Sequence, residues 1–379
     1  MKARKSVKIF TISVLLTIIL FLSSLYIYDP LQIFHKPWGR KTTFHKNMRI
    51  QAAGILKNYD YDSLIFGSSM LENTSSHKAS KTLGGHFINI SMSGSDFLER
   101  TIVLNNILKK KHIKQVIFTL DNYGLIYLRQ GDKNYPLENW AYLYDNNPIN
   151  DFKIYLNKKY IGCLLSFSND VQCIGRNKDL DRPNNWINRK DDMMRFGKLD
   201  NWFKLKTSHP MHNVFKSTQK KFTTKKSIYK QPNKIKQLAI KKYLYNTLIS
   251  MIKDNKKTKF IFIIPPYSII QQALTAQYSS FHFYNYIYSI KYLISATQKY
   301  NNVKIYGWGN HSFTQDIANY RDYWHYHPKI NSWMIDAIAN QEGLLNSSNI
   351  HLYLSKFTKQ SLDYNLTSLE EKINTYLKK

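Results

Sequence analysis

The pattern of apolar and polar positions separates the amino terminus from the rest of the chain. Residues 9–28 form one uncharged run rich in Leu and Ile, whereas later apolar runs are short and alternate with polar stretches. A helix over these 20 residues rises roughly 30 Å, which is the thickness of the hydrocarbon core of a bilayer. The run therefore predicts a transmembrane helix, with Tyr26 and Tyr28 at the membrane interface.

The residues around this run predict its orientation. Four basic residues within the tail at 1–8 predict a cytoplasmic amino terminus. A cleaved signal peptide is the competing interpretation, but the run is long for one and no small-residue cleavage site precedes Asp29. We expect an uncleaved single-pass anchor in the inner (cytoplasmic) membrane, with the chain from Asp29 onward in the periplasm or outside the cell.

After a connector at residues 29–58, short apolar runs alternate with patterns typical of helices. The predicted strands are 63–66, 87–90, 115–120, 259–264 and 303–306. The predicted helices that accompany them are 48–57, 96–109, 234–253, 284–299 and 329–341. Strands that alternate with helices in this way predict an α/β fold with a three-layer parallel sheet.

A long segment at about residues 129–232 interrupts this alternation. It is polar, Asn-rich and basic, and its tryptophans are Trp140, Trp186 and Trp202. Because large aromatic side chains are mostly buried, we expect a folded insertion, helical at 151–167, that caps or flanks the site. The extracytoplasmic domain as a whole is predicted to extend over residues 59–379.

The net charge of the chain indicates which classes of partner it binds. Lys and Arg number 55 against 25 Asp and Glu, a formal net charge of +30 at pH 7, which favours anionic partners. No helix-turn-helix, zinc-finger or RNA-binding signature accompanies this charge, and the predicted outside location also argues against nucleic acid. We therefore expect the membrane surface and an anionic envelope polymer or glycan as partners, and no nucleic acid.

The two cysteines of the sequence, Cys163 and Cys173, match neither a CxxC motif nor a zinc pattern. In an oxidising compartment they can pair across their short loop. Two buried free thiols are the alternative, and the sequence does not choose between them.

A serine turn follows the first predicted strand of the domain. Gly67 ends the strand, Ser68 and Ser69 follow it, and a helix-compatible segment begins at Met70. Such a turn lies at the carboxyl edge of the sheet, where open α/β folds place their sites, and a helix N-terminus there offers N–H groups to a developing negative charge. Ser69 is therefore the candidate nucleophile, and an ordinary strand-ending turn is the alternative.

Nucleophilic serine catalysis also needs a base and a carboxylate that orients this base. Asp322 and His325 lie on the loop after the last predicted strand, at a spacing that allows them to hydrogen-bond each other. They are the candidate orienting carboxylate and base, and an ordinary surface pair is the alternative. A metal site involving His311, His325 and His327 is a further interpretation, but the spacing matches no zinc signature, and we expect neither a metal nor a cofactor.

Two further turns are candidates for an oxyanion hole. Gly94 follows the second strand, where its backbone N–H can point at the site and its missing side chain leaves room for substrate. Asn122 follows the third strand, and its side-chain amide is a candidate third donor. Plain turns are the alternative at both positions, and the adjacent Asp121 can either point into the site or cap a helix.

The order of these motifs, Gly-Ser-Ser, Gly, Asn and Asp-x-x-His, resembles that of the SGNH, or GDSL-like, hydrolase superfamily. The chain is more closely similar to membrane-anchored bacterial envelope members, the DltD-like and AlgX/AlgJ-like proteins, over about residues 29–128 and 235–342. The stretches that carry this similarity are 29–30, 67–74, 89–94, 265–267 and 319–326. The middle insertion and the tail are not covered, and Ser68 stands where the superfamily usually has Asp.

The resemblance implies an SGNH/flavodoxin-like fold and a role for each matching residue. Ser69 would be the nucleophile, His325 the base and Asp322 its orienting partner. The backbone N–H groups of Ser69 and Gly94, with Asn122, would form the oxyanion hole.

Together these features predict a membrane-anchored serine esterase or O-acyltransferase. It would act on a cell-envelope glycan, as in polysaccharide modification, or on a lipid-linked acyl ester, through an acyl-serine intermediate. The alternative is a non-catalytic envelope protein of the same fold that binds polysaccharide or acts as a scaffold for a membrane-bound O-acyltransferase, which is also a candidate partner of the enzyme.

Overall fold

The structure, a computed structural model, describes residues 2–187, 190–224 and 231–378 of the 379-residue chain. These residues form two compact units. The first comprises the chain up to Asp60 and Lys133–Asp179, and the second comprises Tyr61–Asp132 and the chain from Leu180 onward. The segment predicted as one insertion, at about 129–232, therefore contributes to both units.

Strands and helices alternate along most of the chain. The strands are β1 (Ser63–Phe66), β2 (Phe87–Asn89), β3 (Gln115–Thr119), β4 (Lys259–Ile264), β5 (Val303–Gly307) and β6 (Leu344–Leu345). The helices are α1 (Lys2–Tyr28), α2 (Met48–Asn58), α3 (Ser76–Leu83), α4 (Phe97–Lys110), α5 (Asn122–Leu125), α6 (Lys158–Leu165), α7 (Val171–Ile174), α8 (Lys190–Met193), α9 (Met211–Phe222), α10 (Lys234–Leu244), α11 (Ser250–Asp254), α12 (Ile269–Tyr278), α13 (Ser280–Thr297), α14 (Pro328–Ala339), α15 (Ile350–Asp363) and α16 (Thr367–Leu377).

The second unit is built on a six-stranded sheet with the order β2-β1-β3-β4-β5-β6. Strands β1 to β5 run parallel, and β6 pairs antiparallel with β5 through two residues. The protein is therefore mixed α/β with a mostly parallel sheet, as predicted. The edge strand β6 was not predicted, because two residues are too short to show a period.

The five predicted strands agree with β1 to β5 to within one residue at each end. Every residue of β1 and β2 is buried. Parallel strands that are covered on both faces appear in a sequence as continuous apolar runs, which is why these strands could be located from the sequence.

The helix predicted at 234–253 contains a π-helical segment, Tyr245–Ile249, between α10 and α11. Two other predicted helices differ more. The helix expected from Met70 is wrong, because residues 70–73 form turns and α3 begins at Ser76, where the side chain of Ser75 accepts the N–H of Lys78. The helix expected at 151–167 is interrupted: a 3₁₀ turn covers Asn150–Tyr155, and α6 starts anew after the N-cap Asn157. In both places an N-cap side chain sets the start of the helix.

The first unit contains the apolar helix α1. Its segment Ala3–Tyr28 is long and apolar enough to cross a membrane, and only 6% of its most apolar window is buried. The low burial distinguishes α1 from the core helix of a soluble protein, while a signal sequence satisfies the same criteria of length and composition.

The first unit also contains the two cysteines. Cys163 in α6 and Cys173 in α7 form a disulfide, with their Cα atoms 5.8 Å apart. The structure therefore contains the disulfide and not the two buried free thiols that were the alternative.

One hydrophobic core of the second unit brings together the neighbourhoods of the two catalytic candidates. It includes Met70 beside the serine turn and Tyr323 and Tyr326 from the Asp322–His325 loop. Trp202 and Phe215, from the segment after Leu180, belong to the same core. Packing alone therefore places these three parts of the chain against one another.

Candidate active site

Ser69 lies on the turn that directly follows β1. In the sheet, β1 has β2 on one side and β3 on the other, so the chain changes its direction of winding at this strand. Open parallel sheets form a crevice at the carboxyl ends of their strands where the strand order reverses, and ligands bind there. Ser69 after β1 and Asn122 after β3 therefore lie at the same edge of the sheet.

The chain after Ser69 forms two tight turns instead of the expected helix. The N–H of Leu71 donates to the carbonyl of Ser68 at 3.1 Å, and the N–H of Thr74 donates to the carbonyl of Leu71 at 2.9 Å. Because α3 begins only at Ser76, the stabilisation by a helix N-terminus that we predicted for Ser69 is not present.

The buried ion pair between Arg100 and Asp121 anchors this turn through Ser68. The Ser68 hydroxyl donates to Oδ1 of Asp121 at 2.7 Å, while Oδ2 accepts from Thr119 Oγ1 and Arg100 Nη2, both at 2.7 Å. The Arg100 side chain is fully buried and that of Asp121 is 3% exposed. The Asp121 carboxylate therefore fixes Ser68, makes no side-chain cap on α5, and leaves Ser69 as the serine available for chemistry.

The structure brings Ser69 and the predicted base together. Ser69 Oγ lies 2.9 Å from Nε2 of His325, and Nδ1 of His325 lies 2.9 Å from both carboxylate oxygens of Asp322. Because a carboxylate only accepts, we assign the proton to Nδ1, so that Nε2 accepts from the Ser69 hydroxyl. This is the order of groups in a serine triad.

Hydrogen bonds to one carbonyl connect the loop of the base to the serine turn. The carbonyl of Met70 accepts from the Tyr326 hydroxyl at 2.9 Å and from Nδ2 of Asn331, in α14, at 2.8 Å. The side chain of His327 caps α14, and Pro328 occupies its first turn. The helix start and these two bonds thus position the loop that carries His325.

Asp322 is buried and surrounded by positive charge. Burial by itself would raise the pKa of Asp322, but His325, Arg321 and Arg195 together hold this pKa well below its usual range. Arg321 Nε and Arg195 Nη1 lie 3.6 and 3.7 Å from Oδ2 of Asp322, and Asp192 pairs with both arginines. Asp322 is therefore ionised throughout the neutral range, as an orienting carboxylate must be.

Part of this charged group comes from the predicted insertion, within which the sequence indicated no individual site residues. Arg195 and Asp192 follow Leu180, as does Trp186, whose ring faces Arg321 at 3.8 Å and meets the ring of His325 edge-on at 6.0 Å. The only signal in the sequence was the presence of a tryptophan in a polar stretch. Polar residues there are as typical of a solvated insertion as of a site.

A cavity of about 620 Å³ opens above the triad. Ser69, His325 and Asn122 line it, and the remaining lining residues are Ser68, Met70, Asp121, Tyr123, Tyr127, Asn213, Val214, Ser217, Thr218, Lys221, Tyr267, Gln271, Leu274, Tyr323 and Trp324. One side of the cavity is thus formed by α9, which the sequence did not predict as a helix. The volume suits a small-molecule or chain-end substrate.

The oxyanion-hole candidates are not all brought together. Ser69 and Asn122 both line the cavity, and the Ser69 backbone N–H has no acceptor among residues 2–187, 190–224 and 231–378. Gly94, in contrast, has φ +65° on the loop after β2 and is not among the described residues that line the cavity. Burial raises the pKa of Tyr267 well above its usual range, so its hydroxyl stays protonated in the cavity wall as a further polar group.

The histidines considered for a metal have other roles in the structure. Nδ1 of His327 accepts the N–H of Lys329 at 3.1 Å, and Nδ1 of His311 accepts the N–H of Phe313 at 3.3 Å. In the described part of the chain, no group of three or more His, Cys, Asp or Glu side chains is arranged to hold a metal ion.

Comparisons with family models, with curated proteins and with solved structures found no match for this chain.

Proposed function

We propose that this protein is a membrane-anchored serine esterase or O-acyltransferase of the SGNH type that acts on an acyl ester of the cell envelope. The observation that carries the proposal is the continuous contact from Ser69 Oγ through His325 to Asp322. The order of motifs and the strand order 2-1-3-4-5, which is that of flavodoxin-like sheets, also support it.

The first step forms an acyl-enzyme. Nε2 of His325 accepts the proton of Ser69 as Oγ attacks the ester carbonyl, and Asp322 stabilises the imidazolium that results. The negative charge on the carbonyl oxygen is met by the Ser69 N–H and the Asn122 amide. The tetrahedral intermediate then expels the alcohol, which takes its proton from His325.

The second step releases the acyl group from Ser69. A nucleophile with a hydroxyl group gives its proton to His325 and attacks the acyl carbonyl, and the Ser69 oxygen leaves with that proton. Water as the nucleophile makes the protein an esterase. A sugar or polyol hydroxyl makes it an O-acyltransferase.

The proposed location is the inner membrane, with the amino terminus in the cytoplasm and the α/β unit outside. The exposed apolar helix α1 supports an anchor, and the basic residues before it support this orientation. The disulfide Cys163–Cys173 adds support, because disulfides persist in oxidising compartments and are rare in the cytosol.

Labelling with a fluorophosphonate probe tests the assignment of the nucleophile. The full chain, purified in neutral detergent, should be labelled at Ser69, and Ser69→Ala should abolish the labelling. Ser68→Ala is the matched control, because Ser68 is the neighbouring serine but bonds to Asp121 instead of His325. Labelling that survives in Ser69→Ala and disappears in Ser68→Ala would contradict the assignment.

A second candidate, a non-catalytic glycan-binding or scaffold protein of the same fold, is favoured by one observation. Gly94 does not line the cavity and no helix begins behind Ser69, so the proposed oxyanion hole has fewer donors than the motif order implies. This candidate predicts neither labelling nor hydrolysis of any ester, together with intact binding of glycan in the cavity.

A further inference from the structure

The wall of the cavity that α9 forms carries a row of polar side chains. Asn213, Ser217 and Lys221 are spaced by four residues, so they share one face of the helix, and all three line the cavity. Among the residues that the structure describes, none of these three side chains has a hydrogen-bond or ion-pair partner. Thr218, by comparison, donates to the carbonyl of Val214 and accepts from the Tyr323 hydroxyl, so it is already satisfied.

Lys221 is the cation of this wall, and it has no counterion among the described residues of the cavity. Its side chain is half-buried, and burial lowers its pKa. Asp121 is the one carboxylate among the described lining residues, and it is already bonded to Arg100, Thr119 and Ser68. None of the chain outside the described ranges is Asp or Glu. A cation in these surroundings gains from pairing with an anion that a ligand brings.

Further positive charge lies near the same end of the cavity. The ring of His282 packs against that of Tyr127, a lining residue, with centroids 4.9 Å apart. Burial lowers the pKa of His282, and the charges of Lys221 and Lys236 lower it further. Nζ of Lys236 lies 5.8 Å from the centroid of the Phe281 ring, which is itself 5.6 Å from that of His282. His282 is therefore neutral near pH 7, and the positive charge around it comes from Lys221 and Lys236.

Aromatic side chains face the same cavity. Tyr123 and Tyr127 line it and are 43% and 54% exposed, so their rings are open to a ligand, and Trp324 lines it as well. Exposed aromatic rings beside hydrogen-bonding groups provide flat apolar contact together with polar recognition. A ring-shaped, hydroxylated ligand fits this combination better than a simple alkyl ester.

We propose that the cavity selects esters of acidic sugars: a carboxylate or phosphate on the sugar pairs with Lys221, and its hydroxyl groups bond to Asn213 and Ser217. This inference rests on the proposed function for the chemistry at Ser69, and it defines the substrate class of the same cavity. Lys221 is a specificity-determining residue in it and takes no part in proton transfer.

Binding to a variant that cannot react tests this inference independently of catalysis. The full chain carrying Ser69→Ala, in neutral detergent, is titrated by calorimetry with a glucose oligomer, a galacturonate oligomer and glucose 6-phosphate. Adding Lys221→Ala should weaken binding of at least one of the two acidic ligands by about 10- to 100-fold, the effect expected for losing a hydrogen bond to a charged group. Binding of the neutral oligomer should change little. The galacturonate and phosphate arms show which anionic group the cavity prefers.

Two further variants control this titration. Lys216→Ala removes a lysine from the same helix that does not line the cavity, and it should leave all affinities unchanged. Lys221→Arg keeps the charge and should restore most of the acidic-ligand binding. The inference is wrong if neither acidic ligand binds more tightly than the neutral oligomer, if Lys221→Ala weakens all three ligands equally, or if Lys216→Ala has the same effect. A different result would contradict the proposed function: the probe does not label the protein, although this binding is intact.

Discussion

Two buried aspartates lie beside the candidate active site, and the structure holds them in different ways. Asp121 makes direct 2.7 Å bonds to Ser68, Thr119 and Arg100, so both its oxygens are occupied. Oδ1 of Asp322 accepts the backbone N–H groups of Trp324 and His325, and Nδ1 of His325 lies 2.9 Å from both carboxylate oxygens. The two arginines beside Asp322 stay at 3.6 and 3.7 Å and act as nearby charges. Both carboxylates therefore hold a turn, but Asp322 also contacts an imidazole ring whose charge would change in the proposed mechanism.

The partners of the two carboxylates also come from different parts of the chain. Arg100 lies in α4, and Thr119 ends β3, so the Asp121 group belongs to the regular α/β frame. Arg195 lies outside that frame, in the segment after Leu180 that also carries α9. The proposed nucleophile is thus positioned by the sheet, and the proposed base in part by the insertion. We therefore expect replacement of Asp322 to lower mainly the catalytic rate and replacement of Asp121 to lower mainly the stability of the fold.

The largest expected effect is on catalysis, from Asp322→Asn. The amide cannot hold His325 in the required tautomer, so the rate of probe labelling and of ester turnover should fall by about 10³- to 10⁴-fold, as in other serine triads. Asp121→Asn is the matched variant, because Asp121 touches neither Ser69 nor His325, and it should lower the rate far less. Equal losses in the two variants would contradict the different roles.

The next largest effect is on stability, from Asp121→Ala. This variant leaves the fully buried Arg100 without its carboxylate, and breaking a buried ion pair in this way costs about 3–5 kcal/mol in free energy of unfolding. Ser68→Ala removes one hydrogen bond of the same group and should cost about 1 kcal/mol. Urea unfolding of the full chain in detergent measures both values. The ion pair would not be the anchor of the turn if Asp121→Ala cost no more than Ser68→Ala.

The smallest effect is a dependence of stability on pH that belongs to Asp322. Its pKa in the folded chain is lowered, chiefly because the charges of His325, Arg321 and Arg195 outweigh its burial, while an unfolded Asp has a pKa of about 3.9. The ionised carboxylate therefore stabilises the fold fully above about pH 5, and this contribution is lost as the pH falls toward the folded value. The difference in unfolding free energy between the natural protein and Asp322→Asn should shrink from about pH 5 to pH 3. A constant difference over this range would show that Asp322 is not held in its charged form.

The elements that sequence reasoning located well are those whose signal is local. The apolar runs at 63–66 and 259–264 coincide with β1 and β4, because strands buried on both faces must be apolar throughout. The helix predicted from Met70 was wrong because Met70 and Leu71 reach the hydrophobic core from two tight turns. Apolar residues there therefore did not indicate a helix. Helix α9 was missed although Met211, Val214, Phe215 and Phe222 recur at helical spacing, because it lies within a polar, lysine-rich segment that was interpreted as one insertion.

The residues of the candidate site likewise divide into those that a local sequence pattern predicts and those that it does not. Ser69, Asp322, His325 and Asn122 were selected by their positions after strands, and all four lie in or beside one cavity in the structure. Gly94 was selected by the same rule but does not line the cavity, because a turn after a strand can face either way. Arg195 and Lys221 carried no signal at all, since a lysine or arginine in a basic, polar insertion is indistinguishable from a solvated one.

The sequence by itself determined the alternation of strands and helices, the apolar amino-terminal helix and the residue types that serine chemistry needs. These properties depend on neighbours a few positions away, through apolar periodicity and turn preference. Only the tertiary structure decided that Ser69 and His325, 256 residues apart, lie 2.9 Å from each other, and that α9 brings Lys221 to the same cavity. Such contacts depend on how the whole unit packs, because a local pattern says which face of an element is buried but not which distant side chain lies opposite it.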